Sequence, residues 1–213
     1  MSDLKIEKIV LGMCATNCYF IYRDSDKENK DVVFIDPAEN GDMIYDRLIS
    51  KGLNVRAIIL THGHFDHIMG VKALKEKSGA KVYAPKDEIE LLESSEMNIS
   101  AQWASAYTMI ADEYFRDGDV LNLIDGISCK VISTPGHTIG STSFYFEDDR
   151  VLFSGDTLFC ESVGRTDFPT GSMSQLVRSI KEKLFILPDD VKVYPGHGPQ
   201  TSIGYEKENN CII

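Results

Sequence analysis

The sequence predicts an α+β protein in which two sheets pack together with helices outside. Two observations predict it. Short apolar runs of strand character recur along the chain, and amphipathic stretches interrupt them in the order strands, helix, strand, helix, then strands, helix, strand. The residues suited to metal chemistry all fall just after such runs, where strand ends converge. No Pro/Ser-rich linker, low-complexity tract or residue-level repeat divides the 213 residues. A single domain over 1–213 is therefore expected.

The elements follow in order. Residues 4–11 and 18–22 read as antiparallel strands, and 23–31 as a polar loop. A third strand, 32–35, ends in Asp36-Pro37. Over 42–51, Ile44, Tyr45, Leu48 and Ile49 share one face of a helix that Gly52 stops. Residues 55–60 form a short buried strand. A helix is expected over 68–78, with Asp66 as its N-cap and Gly79 as its stop. After a strand at 81–84, Pro85 opens a stretch, 86–111, that holds the only tryptophan, Trp103. Its sparse apolar positions suggest a helical insertion, a candidate lid. Asp125-Gly126 joins strands 120–124 and 127–133 as a hairpin. Glu147-Asp-Asp149 joins 142–146 to 150–153. Residues 172–184 form a helix with Leu176, Val177, Ile180 and Leu184 inward, and Ser172 and Gln175 have capping-box spacing. A strand at 191–194 closes the pattern.

Composition excludes several classes. Apolar residues make up 43% and charged residues 26%, ordinary for a globular protein. A net charge of −11 opposes nucleic-acid binding, which needs a basic footprint. No run approaches a membrane span, and the N-terminal stretch lacks the apolar core of a signal peptide. Cysteines 14, 18, 129, 160 and 211 form an odd, scattered set without a C-x-x-C pair. Reduced thiols in a cytoplasmic protein are expected. Cys14 and Cys18 read as ordinary buried small residues, because no other cysteine completes a ligand set.

The chemistry concentrates in Thr61-His62-Gly63-His64-Phe65-Asp66-His67. Three imidazoles and a carboxylate this close cannot serve an apolar core, since each would need its own buried partner. Neutral imidazole and carboxylate are the ligands that suit Zn and related ions. The two remaining histidines share one setting. His137 in Thr134-Pro-Gly-His-Thr138 and His197 in Tyr194-Pro-Gly-His-Gly-Pro199 each follow a strand and a Pro-Gly turn. Asp156, in Ser154-Gly-Asp-Thr157, also points off a strand end.

H-x-H-x-D-H with the His137 motif, G-D-T and P-G-H-G-P resembles the metallo-β-lactamase superfamily over most of the chain. Gly164-Arg-Thr-Asp-Phe168, Tyr194-Pro-Gly-His-Gly-Pro-Gln-Thr201 and Ile203-Gly-Tyr-Glu206 are most similar to the short glyoxalase II-type hydrolases. The resemblance implies a four-layer αββα sandwich. It implies that His62, His64 and His137 bind one metal, that Asp66, His67 and His197 bind a second, and that Asp156 bridges them. The ions would be two divalent transition metals, Zn first, with Fe or Mn as alternatives. Two departures are visible. Only a short tail follows His197, where full-length glyoxalase II has a helical domain that helps bind glutathione. Cys160-Glu-Ser-Val-Gly-Arg165 replaces the Lys-containing stretch used for that thiol's carboxylates. High KM values for glutathione thioesters are expected.

Such a centre would attack the acyl carbon of a small-molecule thioester with a hydroxide bridging the ions. A thiolate departs with little protonation, so no dedicated general acid is needed. Asp66 would also steer the nucleophile or take its proton. Arg165 is a candidate substrate anchor, or equally an ion-pair partner of Asp167 or Glu161. The alternatives are a persulfide dioxygenase with a single iron, which shares G-R-T-D-F, and a non-catalytic metal-binding protein. The β-lactamase branch with a cysteine in the second site has that cysteine where this chain has Asp156. The sequence leaves the oligomeric state open.

Overall fold

The computed structural model describes residues 3–23 and 30–213. The loop expected over 23–31 therefore lies outside the described residues, apart from its ends. One sheet runs in the order β1 (Leu4–Leu11), β2 (Thr16–Arg23), β3 (Lys30–Ile35), β4 (Leu53–Ile59), β5 (Lys81–Pro85) and β6 (Glu113–Phe115). The first three pair antiparallel and the rest parallel. Parallel neighbours need crossover connections. Helix α1 (Gly41–Ile49) follows β3, α2 (Phe65–Ile68) and α3 (Val71–Ser78) follow β4, and α4 (Ile89–Glu93) and α5 (Ser100–Trp103) follow β5.

The second sheet takes in β7 (Val120–Ile124), β8 (Ile127–Ser133), β9 (Thr142–Phe146) and β10 (Val151–Gly155) as an antiparallel meander. A small hairpin, β11 (Leu158–Phe159) and β12 (Ser162–Val163), comes next, then α6 (Met173–Ser179). Strand β13 (Lys192–Pro195) returns parallel to β10, β14 (Thr201–Ser202) pairs with it, and α7 (Ile203–Asn209) ends the fold.

Period-two alternation divides the apolar side chains among three cores. Phe20, Phe34, Ile58 and Val82 face the helices, against Ile44, Leu48 and Leu74. Their neighbours Tyr19, Ile21, Val33, Ile35 and Ile59 point the other way, against Val131, Phe144, Phe146 and Phe153 of the second sheet. That sheet's outer face puts Tyr145, Leu152 and Val193 against Leu176, Ile180 and Leu184. The result is the α+β, four-layer αββα arrangement. Strands buried on both faces explain the unbroken apolar runs at 32–35 and 57–60.

Several local expectations are corrected. The helix at 68–78 is two helices, with a turn at Met69-Gly70. A Cβ on Gly70 would lie 2.8 Å from Pro37 O, so this turn is where two backbones touch. Asp66 is not an N-cap. It sits in the first turn of α2 and accepts from Thr16 Oγ1 at 2.9 Å. The 86–111 stretch is helical only at Lys86–Glu88, α4 and α5, and the short apolar spacing there fits no longer helix. Ser172 caps α6 as expected, accepting from Gln175 N at 3.5 Å. Beyond α6 the chain widens into a π-helical turn, Ile180–Leu184. The sequence reading missed β6, β11, β12, β14 and α7, each short. Among the described residues no helix is long and apolar enough to cross a membrane.

Phe144 is fully buried between the sheets, edge-on to Phe115 at 5.6 Å. Phe144→Ala is expected to cost about 3–5 kcal/mol. Denaturant unfolding should show a lower midpoint at unchanged slope. A loss below about 1 kcal/mol would mean that the two sheets do not close tightly there.

Candidate metal centre

Four strand ends on one edge of the sandwich supply the site. The turn after β4 carries His62, His64, Asp66 and His67. The turn after β8 carries His137, the turn after β10 Asp156, and the turn after β13 His197. The last approach is close. A Cβ on Gly196 would lie 2.1 Å from Asp156 Oδ1 and 2.9 Å from His67 Cε1, which is why the residue before His197 is glycine. Gly196 N donates to Gly155 O at 2.9 Å, tying β13 to β10 at this point.

Three groups of ligand atoms result, each within 4.8 Å of one another: His62, His64 and His137; His62, His67 and Asp156; and Asp66, His67 and His197. All seven sequence-predicted ligand positions thus converge. His62, His64, His67 and His137 are at most 2% exposed. His67 Nε2 lies 3.4 Å from both His197 Nε2 and Asp156 Oδ1, and 3.6 Å from Asp66 Oδ2. His197 Nε2 lies 3.3 Å from Asp66 Oδ2 and from Asp156 Oδ2.

A second ring of groups orients these imidazoles, and the sequence reading missed most of it. Asp36 accepts from Thr61 N at 2.8 Å, from Thr61 Oγ1 at 2.6 Å and from His67 Nδ1 at 2.9 Å. It does so at a φ of 52°, a left-handed conformation uncommon outside glycine. With the Thr61 hydroxyl proton given to Asp36, His62 Nδ1–H donates to Thr61 Oγ1 at 3.0 Å. His137 Nδ1–H donates to the Arg165 carbonyl at 2.7 Å. These bonds make Nδ1 of His62, His67 and His137 the donor and turn each Nε2 toward the centre, where His137 Nε2 meets His64 Nδ1 at 2.8 Å. The signal for Asp36 was present in the sequence: like Asp156, it is a carboxylate ending a buried strand.

The donor set fits a cation. His62 Nε2, His64 Nε2 and Asp156 Oδ1 are buried and have no hydrogen-bond partner; the 3.4 Å approach of Asp156 Oδ1 to His67 lacks hydrogen-bond geometry. Orphaned lone pairs of this kind are costly unless an ion meets them. Electrostatics separate the two sides. Burial, reinforced by His67, holds His62 well below its ordinary value; burial and the neighbouring His137 take His64 to about 3. Burial lowers His137 as well. Burial would also lower His67 and His197, but the carboxylates win. Asp66 and Asp156 raise His67 to about 9, and Asp156 with Asp66 raises His197 to about 11. Against the opposing effect of burial, His67 lowers Asp66 to about 2, and His67 and His197 hold Asp156 below the carboxylate range.

Glu88 braces the site from behind. It is wholly buried, accepting from Gly63 N at 2.6 Å and Gly140 N at 2.7 Å, so one carboxylate ties the His62–His64 turn to the turn after His137. Nothing in the charged run around it marks it in the sequence. Arg165 lines the cavity in front of the centre, but its guanidinium makes two 2.7 Å bonds to Asp167 and lies 3.7 Å over the Phe168 ring. The expectation for cysteine holds for Cys18, which is buried. Cys14 instead lines the cavity, where burial and then Asp66 raise its thiol pKa.

A model of the metallo-beta-lactamase superfamily matches residues 11–197. The chain belongs to that superfamily. Hydroxyacylglutathione hydrolase GloC of Haemophilus influenzae is 33% identical over 213 residues, spanning 99% of this chain and 98% of its own. The structure of BLEG-1 B3 metallo-beta-lactamase superposes with a TM-score of 0.90 at 36% identity, covering 97% of this chain and 98% of that one. TTHA1623 in a di-iron-bound form gives 0.83 at 31% identity, over 97% and 100%. Family, fold and ligand clusters together support a metal-dependent hydrolase with a binuclear transition-metal site.

Two predictions follow from this geometry. At neutral pH the metal-free centre holds His67 and His197 as imidazolium and His62, His64 and His137 as neutral imidazole. Metal must displace those protons. Zn affinity on the Asp66–His67–His197 side should therefore rise as pH climbs toward about 9, while the all-histidine side should change little. Calorimetric Zn titration in buffers of different ionisation heat measures both; equal pH dependence of the two sites would contradict the assignment. Glu88→Ala, which strands two buried N–H groups, should destabilise by about 3 kcal/mol, and Glu88→Gln by less. Equal melting temperatures for the two variants would show that those two bonds are not what Glu88 supplies.

Proposed function

We propose that the protein hydrolyses thioesters of the S-2-hydroxyacyl kind at a binuclear centre. In this reading His62, His64 and His137 hold one ion, Asp66, His67 and His197 the other, and Asp156 stands between them. The observation that carries it is the position of Asp156. Its Oδ2 lies 3.5 Å from His137 Nε2 and 3.3 Å from His197 Nε2, and its Oδ1 3.4 Å from His67 Nε2. One carboxylate thus faces both ligand groups. Zn suits the nitrogen-rich donor set, and Fe has support from the di-iron form of TTHA1623.

When bound, such ions acidify a water and polarise the acyl carbonyl. The chain's own groups do the rest. Asp66, fixed by Thr16 and facing the cavity, would hold one ion and would orient the attacking water and accept its proton. His67 is held by Asp36 through Nδ1, the nitrogen away from the centre, and stays in register while the charge shifts. Aromatic side chains line the cavity beside the centre. The leaving thiolate, with a thiol pKa near about 8.5, departs without a general acid, and the proposed centre includes none. The free cysteines suit action in the cytoplasm.

A second reading, opening of a β-lactam ring, is favoured by the likeness to BLEG-1. Its leaving nitrogen would need a proton that Asp66 alone would have to return.

Metal-loaded protein should cleave S-lactoyl and simple acyl thioesters without oxygen uptake, at a rate that rises with pH near neutrality. Asp156→Asn should cut turnover at least about a hundredfold. Oxygen uptake with glutathione persulfide and no thioester cleavage would replace this reading with a dioxygenase. Faster opening of a chromogenic cephalosporin than of any thioester would favour the second reading. Near wild-type turnover in Asp156→Asn with full metal content would mean that the bridge is misassigned.

A further inference from the structure

The cavity in front of the centre has a volume of about 340 Å³. Its walls are chiefly Phe65, Ile99, Trp103, Phe159, Val163 and Phe168. Apart from the proposed ligands and the Cys14 thiol, its polar side chains are Ser162 and Arg165. Arg165 is the one Lys or Arg among them, and Asp167 already matches its charge in a two-bond fork. A site of this size, apolar with few polar groups, is the ordinary form of a small-molecule pocket.

The rings are arranged in relation to the reacting position. Phe168 stands edge-on to His64 at 5.7 Å, with Trp103 edge-on behind it at 6.4 Å. Phe159 stands edge-on to His197 at 5.9 Å on the other side. Arg165 stacks on the far ring system and stiffens Phe168. Trp103, covered on one side by Phe168, is left 50% exposed on the other. Met13, next to the cavity-lining Cys14, is 73% exposed. Large apolar groups left open around a concave site gain by being covered.

We infer that this cavity takes an apolar substituent of the substrate, aromatic or branched aliphatic, against the Trp103–Phe168 wall, and that these two side chains set acyl specificity. The inference rests on the thioester reading for the bond cleaved. Away from the metal centre, a substrate arm bearing two carboxylates finds no unpaired Lys or Arg among the described residues lining this cavity, and burying such charges unpaired is unfavourable. The preferred substrate is therefore a thioester of an apolar acid, with the acyl chain rather than an anionic thiol providing recognition.

Because Trp103 is the only tryptophan, its emission reports the pocket independently of turnover. The Zn-loaded protein would be titrated with a non-hydrolysable thioether analogue, phenylacetonyl N-acetylcysteamine, and separately with S-methylglutathione. A saturable change with the first and none with the second is expected, and Phe168→Ala should weaken the first about tenfold, in line with one buried aromatic contact. In parallel, kcat/KM for phenylacetyl-N-acetylcysteamine should exceed that for acetyl-N-acetylcysteamine at least about tenfold. Trp103→Ala should narrow that ratio, and Trp103→Phe should restore it. Saturable binding without any thioester turnover would sink the thioester reading and leave the apolar site standing. Equal ratios in the parent protein, an unchanged ratio in Trp103→Ala, or tighter binding of S-methylglutathione would overturn the inference.

Discussion

The structure depends on one awkward arrangement: imidazoles and carboxylates gathered in a buried space where several of their atoms have nothing to bond. His62 Nε2, His64 Nε2 and Asp156 Oδ1 are orphaned. A fold keeps such a cluster only if each side chain is pinned from its far side. Asp36 and Thr61 do this for His67 and His62, and the Arg165 carbonyl does it for His137. The pinning groups decide which nitrogen faces the centre, so its geometry is set before any ion arrives.

The sandwich makes that pinning possible. Strands β4 and β10 come from different sheets, and their ends meet at one edge: a Cβ on Gly155 would lie 2.6 Å from Thr61 Oγ1, and Gly196 O accepts from Asn17 N of the first sheet at 2.7 Å. Inter-sheet packing around Phe144 and Phe153 holds the two sheets in place. Glu88 adds a direct tie between the two histidine-bearing turns. Core packing and site geometry are therefore one mechanical system, and a loosened core would be felt as weakened metal retention.

How far the sequence could be read follows from the same physics. The ligand set was legible because polar residues at the ends of apolar runs violate the pattern of a core, and every histidine in the chain did so. The central strands were legible because burial on both faces leaves unbroken apolar runs. The break at Gly70 was not legible, because its cause is the Pro37 carbonyl more than thirty positions away in the chain. Glu88 looked like any solvated charge between Lys86 and Glu93. Only the approach of Gly63 and Gly140 gives it a role. Arg165 had two readings, and its pairing with Asp167 across one intervening residue is a local choice that composition cannot decide.

Charge explains why such a centre favours a reaction that builds an oxyanion. Without metal, the carboxylates Asp66 and Asp156 are balanced by protons held on His67 and His197. In the proposed loaded state, two divalent ions would take over from those protons, and the cluster would gain positive charge beside a cavity walled by aromatic rings. Asp36, bonded to Thr61 and His67, and Glu88, bonded to backbone amides, lie behind the ligands and do not line the cavity where the substrate enters. The deficit is met by whatever negative charge enters the cavity. A neutral apolar thioester brings none in its ground state and develops it on the carbonyl oxygen only as the attacking water adds. The stabilisation is therefore greatest at the transition state, where it accelerates the reaction, and a substrate that arrived already charged would spend it on binding.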